Sequence, residues 1–149
     1  MYLNKFNFMK KKKKSKIVLL DMSCSILHHG HIRIIKKASK FGKLIISLTI
    51  DKDLKKYKNI IPELNFNQRK EIIQSIKFVD KIVPGRYILD QKFLDKHKVD
   101  ILIQGSDYKK RLFKNKVLTF PRTPNISSSK IRKIAAKNNL KINKKQKYE

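Results

Sequence analysis

The amino-acid sequence predicts a single α/β domain in which helices cover both faces of a five-stranded parallel sheet. Short continuous apolar runs, among them Lys16–Asp21 and Leu44–Ile50, are typical of strands buried on both faces. They alternate along the chain with helical patterns, the order expected of parallel strands joined by right-handed crossovers. The chain has 149 residues, 40% of them hydrophobic, so it can bury one core without disulfide or metal staples.

The first part of the domain is predicted to contain two strands and a helix. After the strand Lys16–Asp21, small and polar residues predict a linker over Met22–Leu27. A helix follows from His31, and Gly42 stands where a C-terminal helix cap is expected. The second strand is Leu44–Ile50. The apolar residues at helical spacing on this first helix are Ile32, Ile34, Ile35, Ala38 and Phe41.

The centre of the chain is more polar. Asp51–Leu64 is rich in lysine and predicts a long loop. Asn65 or Asn67 can cap a helix that runs to about Phe78. A brief third strand, Lys81–Val83, is expected to stop at the Pro-Gly pair that follows it.

The remaining pattern completes a doubly wound, Rossmann-like arrangement. The elements expected there are a helix over Asp90–His97, strands over Asp100–Gln104 and Val117–Phe120, and a last helix from Ser127 or Ser128 to about Lys137. We therefore expect the domain to occupy residues 16–137, between a basic N-terminal tail, 1–15, and a polar C-terminal tail, 138–149.

The charge of the chain is strongly positive, with 38 Lys and Arg against 11 Asp and Glu. Such a balance suggests affinity for nucleic acid or an anionic membrane. The lysines are, however, spread over helices, loops and tails, and together with the abundant Ile and Asn they fit the coding bias of an AT-rich genome. No zinc-finger spacing or aromatic–basic interleaving is present. We therefore expect nucleic acid not to be the main partner.

Two features bear on the compartment. The apolar stretch after Lys10–Lys14 is too short for a secretory signal, and no run approaches the roughly 18 residues of a membrane span. Cys24 is the single cysteine, which excludes an internal disulfide framework and fits a reducing environment. A cytoplasmic location is the expectation.

Parallel sheets of this kind bind ligands at the carboxyl ends of their strands, near the point where the strand order reverses. The loops expected at that edge are Met22–Gly30, Asp51–Leu64, Gly105–Tyr108 and Pro121–Ser127. Three of the four histidines of the chain, His28, His29 and His31, lie in or next to the first of them. A metal site would need a further ligand at suitable spacing, and none is evident. A phosphate site fits better, since imidazole N–H groups beside a helix N-terminus attract anions; surface histidines are the plain alternative.

Five blocks of sequence resemble a known family. His28-His29-Gly30-His31 matches an H-x-G-H signature, and Arg122–Ser129 stands where a second signature, R-T-x-G-I-S-[ST]-[ST], is found. The intervening matches are Asn67–Lys70, Phe78–Pro84 and Gly105–Tyr108. In this order, from Lys16 to about Lys133, the chain resembles the cytidylyltransferase-like nucleotidyltransferases, and most closely the small glycerol-3-phosphate cytidylyltransferases.

The resemblance implies transfer of CMP from CTP to a small phospho-alcohol or phosphonate, with release of pyrophosphate. Mg²⁺ would accompany the nucleotide without dedicated protein ligands, and a homodimer is expected. The implied catalytic residues are His28, His31, Lys58 and Arg122, with Lys55 or Lys56 as substitutes for Lys58. The implied nucleotide-binding residues are Ser23, Cys24, Gly30, Arg69, Gly105, Asp107, Thr123, Ile126, Ser127 and Ser128.

Some of these residues have plainer interpretations: Arg69 as a surface arginine, Asp107 as part of a turn, and Ser127 as a helix cap. The chain also departs from the family pattern. Ser25 replaces an aspartate before the histidines, and Asn125 replaces a glycine in the second signature.

Three alternatives therefore stay open. One is an ATP-dependent enzyme acting on a sugar phosphate. The second is a basic nucleic-acid-binding domain. The third is a member of the family that binds nucleotide only as a regulator, which the loss of the aspartate at Ser25 would favour.

Overall fold

The computed structural model describes residues 15–106, 108 and 111–145, and it contains one five-stranded sheet. The strands lie side by side in the order β3-β2-β1-β4-β5, and every neighbouring pair is parallel. The predicted sheet is thus confirmed, and the strand order reverses between β1 and β4. The strands are β1 Ile17–Met22, β2 Lys43–Thr49, β3 Lys81–Gly85, β4 Ile101–Gly105 and β5 Lys116–Phe120.

Among the described residues, five helices connect or follow the strands: α1 His29–Ala38, α2 Asp51–Lys58, α3 Phe66–Gln74, α4 Gln91–Lys96 and α5 Ser128–Lys145. A 3-10 turn, Ser39–Phe41, follows α1. One face of the sheet packs against α1 and α3, whose buried contacts include Ile35 and Ile73. The other face packs against α4 through Leu94. Within the described part of the chain, no helix is both long enough and apolar enough to cross a membrane.

The segment predicted as a loop over Asp51–Leu64 begins with a helix, α2, and this prediction was wrong. Leu54 is fully buried and anchors α2 to the domain. Asp51 and Asp53 lie in its first turn and lysines in its last, which suits the helix dipole at both ends. Hydrophobic spacing over so short a helix is too sparse to distinguish it from a polar loop.

Four boundaries also differ from the prediction. The first helix begins at His29 rather than His31, so His28 is its N-cap. The third strand continues through its Pro-Gly pair because β3 is an edge strand, where proline is tolerated. The capping box of Asn65 and Gln68 opens α3, which ends at Gln74, short of Phe78. The last helix runs to Lys145, because its polar residues beyond Lys137 include no glycine or proline to end it.

Candidate active site

A cleft of about 520 Å³ opens at the carboxyl edge of the sheet, between α1 and α5. The loop after β1 and the first turn of α1 line it with Ser23, Cys24, Ser25, His28, Gly30 and His31. The loop after β5 and the start of α5 line it with Pro121, Arg122, Thr123, Ile126, Ser127, Ser128, Ser129 and Arg132. Lys58 and Gly105 come from the other two predicted loops. The four loops therefore meet where the sequence placed the ligand.

His28 and His31 face each other in this cleft, with ring centroids 3.9 Å apart. The backbone N–H of His28 donates to Nδ1 of His31 at 3.3 Å. Because Nδ1 accepts, the proton of a neutral His31 resides on Nε2, which becomes the donor for a ligand. Nδ1 of His28 is buried and has no hydrogen-bond partner in the described structure.

Both imidazoles are neutral near pH 7. Burial, reinforced by His28, Arg122 and Lys58, lowers the pKa of His31 to about 3. Burial also lowers the pKa of His28, with further contributions from His29 and Arg122. The pair therefore offers N–H donors without adding formal charge. His29, by contrast, is exposed, and its ring centroid lies 6.3 Å from that of His28.

Gly30 is required by packing. A Cβ atom at this position would lie 3.0 Å from two atoms of the His28 ring and 3.2 Å from Cγ2 of Ile126. Such contacts are tighter than ordinary van der Waals separation, so a side chain here would push the imidazole away. The glycine thus lets α1, His28 and the loop before α5 come together.

Lys58 is the lysine of α2 that reaches the cleft. Its Nζ donates to Oγ of Ser23 at 3.1 Å and lies 5.6 Å from the centre of the Tyr87 ring. Lys55 and Lys56 do not line the cleft. Lys56 instead lies near the ring of Tyr57. Of Lys55, Lys56 and Lys58, it is therefore Lys58, at the end of α2, that lines the cleft.

The loop between β5 and α5 keeps its turn although Asn125 replaces glycine. Asn125 adopts φ 63°, a left-handed conformation that asparagine tolerates better than most residues. Oγ of Ser127 accepts from the Lys130 N–H at 3.1 Å and so caps α5. Oγ of Ser128 donates to the Ile26 carbonyl at 3.2 Å, which ties this loop to the loop after β1.

Arg69 is 2% exposed, so the interpretation as a surface arginine was wrong. It does not line the cleft itself, and its nucleotide-binding role stays a prediction. Its guanidinium donates to the carbonyls of Ser23, Thr49 and Leu64 and forms an ion pair of 2.6 Å with Asp51. These contacts hold the loop after β1 and the junction between β2 and α2 against the start of α3. Asp107 lies outside the described residues.

Cys24 lines the cleft but is not a nucleophile. Burial raises the pKa of its thiol to about 12 and keeps it protonated. Its backbone is left-handed, with φ 43°, and this helps turn the chain from β1 toward α1. Its contribution is therefore to the shape of the site.

Asp21, at the end of β1, is the functional candidate that sequence reasoning missed. It lines the cleft, is 3% exposed, and its Oδ1 has no hydrogen-bond partner among the described residues. Burial raises its pKa to about 7 against the opposing effects of Ser47, Tyr108 and Lys58. The sequence signal that could have identified Asp21 is a carboxyl group at the end of an apolar strand, at the edge of the sheet where ligands are expected to bind.

A second cavity of about 390 Å³ adjoins the cleft. Asp21, Lys58 and Tyr108 line both cavities and form the boundary between them. The second cavity is otherwise lined by Tyr87, Ile88, Leu89, Gln104, Arg111 and Phe113. The cleft is thus rich in groups that can donate hydrogen bonds to phosphate, while the second cavity is more aromatic and shares the Asp21 carboxyl group with the cleft.

The sequence model described as cytidylyltransferase-like matches residues 24–134. The chain is 30% identical over 115 residues to glycerol-3-phosphate cytidylyltransferase of Bacillus subtilis, covering 72% of this chain and 87% of that enzyme. It is 28% identical over 102 residues to a probable ethanolamine-phosphate cytidylyltransferase of Encephalitozoon cuniculi. That match covers 68% of this chain but spans about a third, 32%, of the relative.

A solved structure has the same fold. The lipopolysaccharide core biosynthesis protein from Thermoplasma volcanium aligns with a TM-score of 0.66 and 24% identity. The alignment covers 73% of this chain and 98% of that one.

Proposed function

Because the chain belongs to the cytidylyltransferase-like family, we propose that it transfers CMP from CTP to a small phosphorylated acceptor. An oxygen of the acceptor phosphate or phosphonate attacks the α-phosphorus, the bond to the β-phosphate breaks, and pyrophosphate leaves. The observation that carries this proposal is the pair of adjoining cavities, with Lys58 on their boundary and the two histidines in the larger one. Nucleotide and acceptor would meet there.

The protein contributes donors and position rather than a nucleophile. His28, His31, Lys58 and Arg122 line the cleft, and in the proposed reaction they would donate to the transferred group where negative charge develops. Fixed donors of this kind stabilise the transition state without reorganising during the reaction. Neutral imidazoles serve here as donors, while the lysine and the arginine supply the positive charge.

We propose that Mg²⁺ enters with the nucleotide, as its phosphates require. No group of three His, Cys, Asp or Glu side chains that could hold a metal ion occurs among the described residues. The lining of the cleft, rich in hydroxyls and cations, fits phosphate better than it fits a protein-bound metal.

The test is pyrophosphate release measured with each of the four nucleoside triphosphates against a panel of phosphorylated alcohols. We expect CTP to give the highest kcat/KM. Turnover with ATP and a sugar phosphate would favour the adenylyl alternative instead. Salt-dependent binding of nucleic acid without pyrophosphate release would contradict the proposed function.

The second cavity supports a finer proposal, that the acceptor carries an ammonium group, as in an aminoalkyl phosphate or phosphonate. Asp21, whose Oδ1 has no hydrogen-bond partner among the described residues, lines this cavity together with Tyr87 and Tyr108. A carboxylate and aromatic faces together attract a cation. Asp21 would also supply a carboxyl group to the cleft that Ser25 lacks.

This acceptor proposal predicts a pH dependence. Asp21 has a pKa of about 7 and must be ionised to pair with ammonium, so the KM for ethanolamine phosphate should fall as the pH rises through 7. Between pH 6 and pH 8 the ionised fraction rises roughly tenfold, and the apparent affinity should follow it. Glycerol-3-phosphate is the control, because it has the phosphate without the amine.

In Asp21→Asn the preference for the amine should disappear and the difference between the two pH profiles should vanish. Equal profiles for both acceptors in the unmodified protein would contradict the ammonium assignment. Equal profiles would not contradict the proposed transfer of CMP itself.

Arg122→Lys is expected to lower turnover at least ~tenfold, about 1.4 kcal/mol, although it preserves charge. Lysine lacks the planar fork with which arginine binds two phosphate oxygens at once. The measurement is kcat and KM for CTP at fixed acceptor. Unchanged kinetics would mean that Arg122 lies outside the phosphate site.

A further inference from the structure

Arg132 lines the cleft on the first turns of α5, yet its guanidinium is bound to another part of the chain. Nε of Arg132 pairs with Oε1 of Glu63, and Nη2 pairs with Oε2 at 2.6 Å. The two side chains are 26% and 45% exposed. A carboxylate therefore binds one edge of an arginine through both of its oxygens, in the lining of a site that otherwise attracts anions.

Glu63 belongs to the connection between α2 and α3, residues 59–65, which is held at both ends. Asn59 begins it in a left-handed conformation, and the Leu64 carbonyl accepts from Nε of Arg69 at 3.2 Å. Ile60 contributes to the wall of the cleft. In the described part of the chain, the contact with Arg132 is the ion pair that ties the middle of this connection to α5.

A carboxylate bound through both oxygens occupies an arginine much as a phosphate does. The hydrogen bond from Arg132 holds the pKa of Glu63 below its usual range, so the side chain remains ionised at neutral pH. A partly exposed ion pair contributes little to stability in water. A polyphosphate with several charges can therefore compete with it.

Resting on the nucleotidyl-transfer function proposed above, we propose that Glu63 is an internal anion that occupies Arg132 until the terminal phosphates of the nucleotide displace it. Binding of the nucleotide then transfers Arg132 from Glu63 to phosphate and releases residues 59–65 from α5. The contact lowers the affinity of the empty site for polyphosphate, because each binding event must first break it.

The experiment measures binding of inorganic tripolyphosphate, and separately of CTP, by calorimetry at fixed ionic strength. Glu63→Gln keeps the shape of the side chain and removes its charge, and we expect it to tighten tripolyphosphate binding about three- to fivefold. Glu71→Gln is the matched control, since Glu71 is an exposed glutamate on α3, and it should leave the affinity within about twofold.

A double-mutant cycle separates displacement from simple charge repulsion. In the background of Arg132→Met, the added change Glu63→Gln should have no effect, because the contact is already absent. Unchanged or weaker binding by Glu63→Gln alone would overturn the proposal, as would a gain of the same size in the Arg132→Met background. Amide hydrogen exchange over residues 59–65 should increase when tripolyphosphate binds; a decrease would likewise overturn it.

The tripolyphosphate measurements do not depend on the base or on turnover. Failure of CTP to react with any acceptor would contradict the proposed function and leave the result for Glu63 standing. Failure of the cycle would overturn the role of Glu63 and leave nucleotidyl transfer intact.

Discussion

Replacing His28 or His31 by alanine should lower turnover by ~10²–10³, the usual consequence of removing one fixed donor to developing charge. The His28 ring lies over the first turn of α1, and His31 presents Nε2–H because its Nδ1 is already bound to the His28 backbone N–H. His29 is exposed and does not line the cleft. His29→Ala should therefore retain most of the activity.

The three variants are to be compared by kcat for pyrophosphate release, at matched circular dichroism and melting temperature. Small and equal losses would mean that all three rings are solvated and interchangeable. A loss of activity in His29→Ala as large as in the other two variants would show that the phosphate contact has been assigned to the wrong imidazoles. A metal-cluster interpretation of the three histidines would then be favoured.

Arg69→Met should lower the free energy of unfolding more than any substitution of a surface residue does. Methionine fills a similar volume but leaves the carbonyls of Ser23 and Thr49 and the carboxylate of Asp51 without their donor. Each buried carbonyl left without a donor costs about 1–3 kcal/mol, whereas the Asp51 carboxylate, 39% exposed, can be rehydrated in part, so the whole change should cost about 3–5 kcal/mol. For a domain of this size the melting temperature should fall on the order of 10 °C.

Arg86→Met is the control for that experiment. Arg86 also pairs with an aspartate, Asp53, but the Arg86 side chain is 67% exposed, and the buried Asp53 carboxylate keeps the Tyr87 backbone N–H as a donor. The loss of Arg86 should therefore cost about 1 kcal/mol, less than the loss of Arg69. Thermal and denaturant unfolding of both variants give the comparison. Similar stabilities of Arg69→Met and Arg86→Met would contradict the role of the Arg69 contacts in joining the loop after β1 to the end of β2 and the start of α2.

Most of the sheet was predictable because buried parallel strands have continuous apolar runs whatever surrounds them. The histidine signature and the loop of Arg122 were predictable because a phosphate site needs short motifs whose residues are neighbours in sequence. The helix α2 was not predictable, since its one fully buried side chain, Leu54, leaves too little hydrophobic periodicity.

The residues that only the tertiary structure revealed depend on distant partners. Arg69 is a clamp because three segments meet around it, and in sequence it resembles any arginine in the first turn of a helix. The role of Asp21 depends on burial beside Ser47 in the neighbouring strand, which raises the pKa of a carboxyl group that would ordinarily be ionised.

The sequence by itself determined the order of the five strands along the chain, the edge of the sheet at which the cleft opens, and the histidines and arginine that line it. These depend on local periodicity and on motifs of a few residues. The tertiary structure decided which lysine reaches the cleft, which arginine is buried, which carboxyl group stands between the two cavities, and that Glu63 holds Arg132. Each of those depends on burial and on contacts between residues far apart in the chain, up to 69 positions for Glu63 and Arg132, and such contacts leave no periodic signal in the sequence.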